Sequence, residues 1–200
     1  VADAQRVVPA EEIRKEIYLG EPVFYHDVII VGDLYLYQGP AFFENISGGY
    51  FYSVNRPIPS ISIINSTIQG SVDFSDKVFN NTINFRRTRI MGKADFTGSK
   101  FYGNTYFEET FFDGHGPFEH LGSGIFWNTY FGKDANFSGS KFNGTANFRN
   151  AIFDGVATFN SAKFDAKGHG EAANFWNATF GKDADFYWSE FNGTAFFWKS

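Results

Sequence analysis

The feature that most constrains this chain is a row of large apolar residues spaced alternately five and six apart. It runs Ile63, Ile68, Phe74, Phe79, Phe85, Ile90, Phe96, Phe101, Phe107 and Phe112. It resumes as Phe126, Phe131, Phe137, Phe142, Phe148, Phe153, Phe159 and Phe164, and after a second break as Phe175, Phe180, Phe186, Phe191 and Phe197. The unit is eleven residues carrying two anchors. Neither helical periodicity nor simple strand alternation holds this spacing over such a length. Phenylalanine, with 27 copies in 200 residues, is the compositional trace of one structural solution used repeatedly.

A second regularity sits two residues before the anchor. Ala94, Ala135, Ala146, Ala157, Ala173 and Ala184 occupy it, with Ser99, Thr105 and Ser140 as variants. Two positions apart on an extended segment, the small and the large side chain point the same way. The ring fills the centre and the small residue leaves room at the corner. Glycine recurs two residues after the second anchor, as at Gly70, Gly92, Gly103 and Gly155, where a corner needs positive φ or close backbone approach. Four faces of five, six, five and six residues give a coil of 22 residues in which like positions stack. An 11-residue coil also keeps register, but its lumen is too tight for paired rings. The predicted fold is all-β: a right-handed, parallel, quadrilateral β-helix (β-solenoid), about 22 residues per coil, with each rung rising ~4.8 Å.

The segments Ala94-Asp95-Phe96, Ala135-Asn136-Phe137, Ala146-Asn147-Phe148 and Ala184-Asp185-Phe186 resemble the pentapeptide-repeat family, in particular its Phe-centred branch. The resemblance covers at least residues 61 to 200 and departs from the strict pattern in the sixth residue of alternate repeats. It implies a scaffold rather than an enzyme, since most members have no assigned activity. It also raises a homodimer through the C-terminal end, because relatives often pair end to end. The opening, with Gly20-Glu21-Pro22-Val23 and Val28-Ile29-Ile30-Val31-Gly32-Asp33-Leu34, resembles an archaeal subset, which implies an exported protein.

The ends and interruptions divide the chain. Residues 1–22 form an N-terminal segment whose helix, Pro9 to Tyr18, caps the first rung, with Ile13 and Ile17 on one face and Gly20 after its end. Residues 23–200 form the solenoid, whose first, irregular rung spans 23–36. Residues 38–59, rich in aromatics, Gly and Pro, read as an ordered excursion packed over one side. Two insertions interrupt the anchors, near 113–125 with eight extra residues and near 165–174 with five. Both carry Gly-His-Gly and should leave one corner two rungs apart. The last unit ends without a visible cap, which suggests either a partner on the final rung or further chain.

No motif carries chemistry strongly. His115, His120 and His169, with Asp113, Glu119, Asp165 and Glu171 nearby, are of metal-binding type, but their spacing fits no compact motif and solvent-facing turns explain them better. No catalytic residue, metal ligand or cofactor is assigned. The candidate interaction surface is Trp127, Arg149, Trp176 and Trp198, one residue beyond successive anchors, together with His115 and His169. Either the rings meet a protein or glycan, or the insertions fold over them with Phe118, Leu121 and Ile125 supplying the packing. Tyr187 and Trp188 are expected on a neighbouring face. The repeated Asp or Asn before an anchor reads as corner support.

Composition narrows the function classes. A net charge of −5 disfavours nucleic acid and is modest for a DNA mimic acting on a topoisomerase, which remains one alternative with a metal-binding protein using the His loops as another. Arg86, Arg87 and Arg89 form the tight basic cluster. The chain has no cysteine and no transmembrane run. Seven N-x-Ser/Thr sequons permit glycosylation in an exported protein. The expected reading is a structural or protein/glycan-interaction scaffold outside the cell or at its surface, with a cytoplasmic location still open.

Overall fold

A computed structural model describes residues 5–36, 42–44, 50–52, 57–114, 123–168 and 170–200, with the backbone alone at 42–44 and 50–52. Strands of two to four residues alternate with tight corners and stack into four parallel sheets. One complete rung consists of Ile83–Asn84, Arg89–Ile90, Ala94–Asp95 and Lys100–Phe101, which lie on faces 1 to 4 in that order. Ile83 pairs with Thr105, Arg89 with Phe111, and Val78 with Lys100, each 22 positions on. The predicted rung length is therefore the observed one, and the fold is a four-sided parallel β-solenoid.

The anchors fill the lumen. Phe126, Phe148, Phe175 and Phe197 of face 3 stack in order, with centroids 4.8–4.9 Å apart and planes within 9°. On face 1, Phe137, Phe159 and Phe186 do the same at 5.0 and 4.8 Å. The two opposed columns interdigitate edge to face: Phe148 meets Phe137 and Phe159 at 5.3 Å, near right angles. Parallel stacks along the axis and T-shaped contacts across it are both favourable for aromatic quadrupoles. This explains why aromatic anchors so often replace aliphatic ones once the early rungs, with Ile61, Ile63, Ile68 and Val72, are passed.

Corners explain the smaller regularities. The hydroxyl of Thr88 donates to the Ile63 carbonyl, Ser99 to Phe74, Thr110 to Phe85 and Thr129 to Phe96. The small residue thus does more than leave space, because it satisfies the carbonyl of a buried anchor on the preceding rung. The Asx residue before an anchor accepts from the amide two residues on, as Asp73 from Ser75, Asn136 from Ser138 and Asp185 from Tyr187. That is the expected corner support. The glycines at Gly103 and Gly155 mark close approach: a Cβ at Gly155 would stand 2.3 Å from the carbonyl carbon of Lys133 on the rung above. Positive φ occurs in the same series at Gly114, Gly144 and Gly193, and at the other turns on residues as varied as Arg87, Asn128, Ser161 and Trp188.

The N-terminal segment contributes a strand that periodicity did not reveal. Arg6–Pro9 pairs with Val28–Val31 in face 2, ahead of the helix. The helix, Ala10–Leu19, starts after Pro9 and ends on Gly20 in the left-handed region. It buries Ala10, Ile13 and Ile17, covering apolar surface at the end of the stack. In the first rung Leu34–Tyr35 occupies face 3, and the chain next rejoins the coil at Ile61–Ile64 of face 1. In chain order the excursion takes the place of that rung's face-4 strand, and among the described residues face 4 has 5 strands against 7, 8 and 7 for the others. Within it, Phe42–Glu44 and Tyr50–Tyr52 form an antiparallel hairpin.

Both insertions leave the corner between faces 2 and 3. Partner spacing widens there to 30 positions, Phe111 to Lys141, and to 27, Lys163 to Glu190. The strands that precede them, Phe111–Phe112 and Lys163–Asp165, lie two rungs apart in face 2. Among the described residues no helix is long and apolar enough to cross a membrane.

Candidate interaction corner

The turn joining faces 3 and 4 begins one residue after each face-3 anchor. Stacking therefore places Trp127, Arg149, Trp176 and Trp198 in a single column on consecutive rungs. Backbone bonds hold it: Asn128 N–H donates to the Arg149 carbonyl, Asn150 to Trp176 and Asn177 to Trp198, at 2.7–3.0 Å. Asn147 and Asn174 accept from the Arg149 and Trp176 amides and set the turn geometry.

The side chains form a composite surface. The Arg149 guanidinium lies over the Trp176 ring, 3.7 Å from its centroid. Trp127 is 43% exposed and Trp198 68%, while Trp176 is half-buried beneath the arginine. Beside this column runs an amide ladder at the left-handed positions. Asn177 donates through Nδ2 to Asn150 Oδ1 at 3.0 Å, and Asn150 donates to Asn128 Oδ1 at 2.9 Å. The sequence reading did not single out these asparagines. Their spacing of two residues beyond Phe126, Phe148 and Phe175 was the available signal.

The structure separates features that the sequence placed together. The Trp column and the insertions occupy different corners, with the width of face 3 between them. Ile125 is buried at the base of face 3, whereas His115, His120, His169, Phe118 and Leu121 lie outside the described residues. Tyr187 and Trp188 stack on each other at 5.0 Å, exposed by 60% and 74%. They belong to the corner after face 1, diagonally across the coil from Trp127. The expectation of a neighbouring face is corrected accordingly: four faces in chain order make the first and third corners opposite.

The tight basic cluster is spent on carboxylates. Arg86 pairs with Glu108, Arg87 with Glu109 at 3.1 Å, and Arg89 with the buried carboxylate of Asp113 at 2.5 Å. Asp113 also accepts from Asn143 at 2.7 Å. The basic cluster is thus neutralised by the next rung. Burial pushes the Asp95 carboxyl up, but Lys93, the Thr97 hydroxyl and the Thr97 amide outweigh it and hold the group below its ordinary range. Such internally paired carboxylates form a poor imitation of a duplex phosphate backbone. Among the described residues no group of three metal-ligating side chains converges.

Comparison with known proteins gives one family. The model described as pentapeptide repeats matches residues 63–110 and 126–166, in 9 copies. No curated protein and no solved structure matches the chain significantly.

Proposed function

The chain belongs to the pentapeptide-repeat family over its matched repeats, and from that premise we propose that it is a non-catalytic scaffold presenting the corner after face 3 to a protein or glycan. The observation that carries this reading is the Arg149–Trp176 stack, held in one column with exposed Trp127 and Trp198. Large exposed aromatics aligned with arginine are the usual material of contact surfaces. A rigid backbone ladder beneath them lowers the ordering cost of binding. An extracellular or cell-surface location fits this role and belongs to the same proposal. His115 and His169 stay within it as residues of the neighbouring insertions.

The test uses a panel of purified cell-surface proteins and polysaccharides. Wild-type protein is expected to retain at least one partner that a Trp127→Ala/Trp198→Ala variant loses, at unchanged melting temperature. Equal retention by both would remove this corner as the contact surface.

A homodimer through the C-terminal end is a further part of the proposal. The family resemblance supports it, since relatives often pair end to end. Sedimentation velocity should then show a concentration-dependent dimer that Phe197→Asp abolishes. A monomer across the micromolar range would count against the pairing.

A further inference from the structure

Resting on the reading of this corner as a contact surface, we propose that its ligand is an acidic polysaccharide, bound along the solenoid axis with a uronate carboxylate on Arg149. Charge points to the anion. Arg6, Arg86, Arg87 and Arg89 each pair with a carboxylate, and Arg14 lies over the Tyr35 ring in the N-terminal segment, away from this corner. Arg149 has none among the described residues; it stacks on Trp176, and its Nε is covered without a hydrogen-bond partner. The two turn positions on the four rungs from Trp127 onward read Trp-Asn, Arg-Asn, Trp-Asn and Trp-Lys, with no acidic residue. An arginine held flat and left unpaired offers its fork to a carboxylate.

The neutral groups point to a sugar polymer. Indole faces at Trp127 and Trp198 are flat, apolar platforms of the kind that the C–H face of a pyranose covers. The amide ladder uses its internal groups pairwise. It leaves the Asn128 Nδ2 as a spare donor at one end and the Asn177 Oδ1 as a spare acceptor at the other. A hydroxyl both donates and accepts, so a polyol can satisfy either end. The column repeats at the strand separation and extends about 14 Å over three rung steps. A polymer with a short, regular repeat meets successive rungs in equivalent ways, whereas a folded protein surface has no such period. Nucleic acid has a period too, but one arginine in this column, on a chain of net charge −5, supplies too little attraction.

The experiment is calorimetric titration with oligogalacturonates and, in parallel, with neutral cello-oligosaccharides of equal length. Wild type, Arg149→Gln, Arg149→Lys and Trp127→Ala/Trp198→Ala are compared, each first checked for an unchanged melt. Expected are binding of the acidic series that weakens with salt, a loss of about tenfold or more in Arg149→Gln, and partial recovery in Arg149→Lys. Equal binding of both series, indifferent to Arg149, would overturn the acidic class and leave the corner as a glycan contact. Failure of both series to bind, while the double tryptophan variant still loses a purified protein partner, would overturn the glycan and spare the contact surface. If no variant loses any partner, both readings fall.

Discussion

Phe148→Ala is expected to lower the unfolding free energy by about 3–5 kcal/mol, the range for truncating a buried phenylalanine. Phe148 has no exposed surface and stacks between Phe126 and Phe175 at 4.8 and 4.9 Å. Across the lumen it meets Phe137 and Phe159 edge to face. Truncation therefore opens a hole at the crossing of an axial stack and a transverse one. The surrounding rungs cannot close it, because each is tied to its neighbours by backbone ladders above and below. Urea unfolding followed by far-ultraviolet circular dichroism reads the effect as a shift in midpoint. An unchanged midpoint would mean that the anchors are not the core.

The second large effect is expected at a residue with no side chain. Gly155→Ala should destabilise by about 1–3 kcal/mol or more, as overpacking does when nothing nearby can yield. The added methyl would meet the Lys133 carbonyl carbon at 2.3 Å and the Asp134 nitrogen at 2.5 Å, all backbone of the adjacent rung. No rotamer change relieves such contacts, and spreading the rungs would cost ladder hydrogen bonds. Gly168→Ala is the control: among the described residues nothing lies within 4 Å of its would-be Cβ, although its φ of +82° imposes a separate strain. Thermal melts of the two variants separate the steric from the conformational cost. A melt at Gly155→Ala indistinguishable from wild type would show that the rungs are looser than their spacing implies.

Much of the scaffold was legible in the chain. The alternation of five and six residues fixes a 22-residue rung because a parallel stack tolerates only a repeat that returns each side chain to the same place. Inward anchors, small corner residues and Asx supports follow from that one constraint. The strand Arg6–Pro9 was not legible, since a single four-residue segment before a helix carries no period and is recruited by pairing with Val28–Val31. The glycine positions were read correctly as corners, yet the left-handed turns themselves fall largely on Asn, Asp and charged residues elsewhere. Asn and Asp tolerate that conformation themselves; at Arg87, Glu109 and Trp188 the stacked turns and the surrounding ladder hold it.

For the candidate site the division is sharper. Local order along the chain placed Trp127, Arg149, Trp176 and Trp198 outside the anchors, because a residue next to an inward ring in an extended segment must face outward. It could not separate their corner from the one that carries the insertions, nor show that Tyr187 and Trp188 lie diagonally across the coil. Closure of four faces in three dimensions settles which corners adjoin and which oppose. The Asn128–Asn150–Asn177 ladder and the guanidinium lying flat on Trp176 arise in the same way. Sequence alone determines the period, since a stack allows no other; tertiary structure decides the neighbours, since residues 22 or 27 positions apart become adjacent only when rungs close on one another.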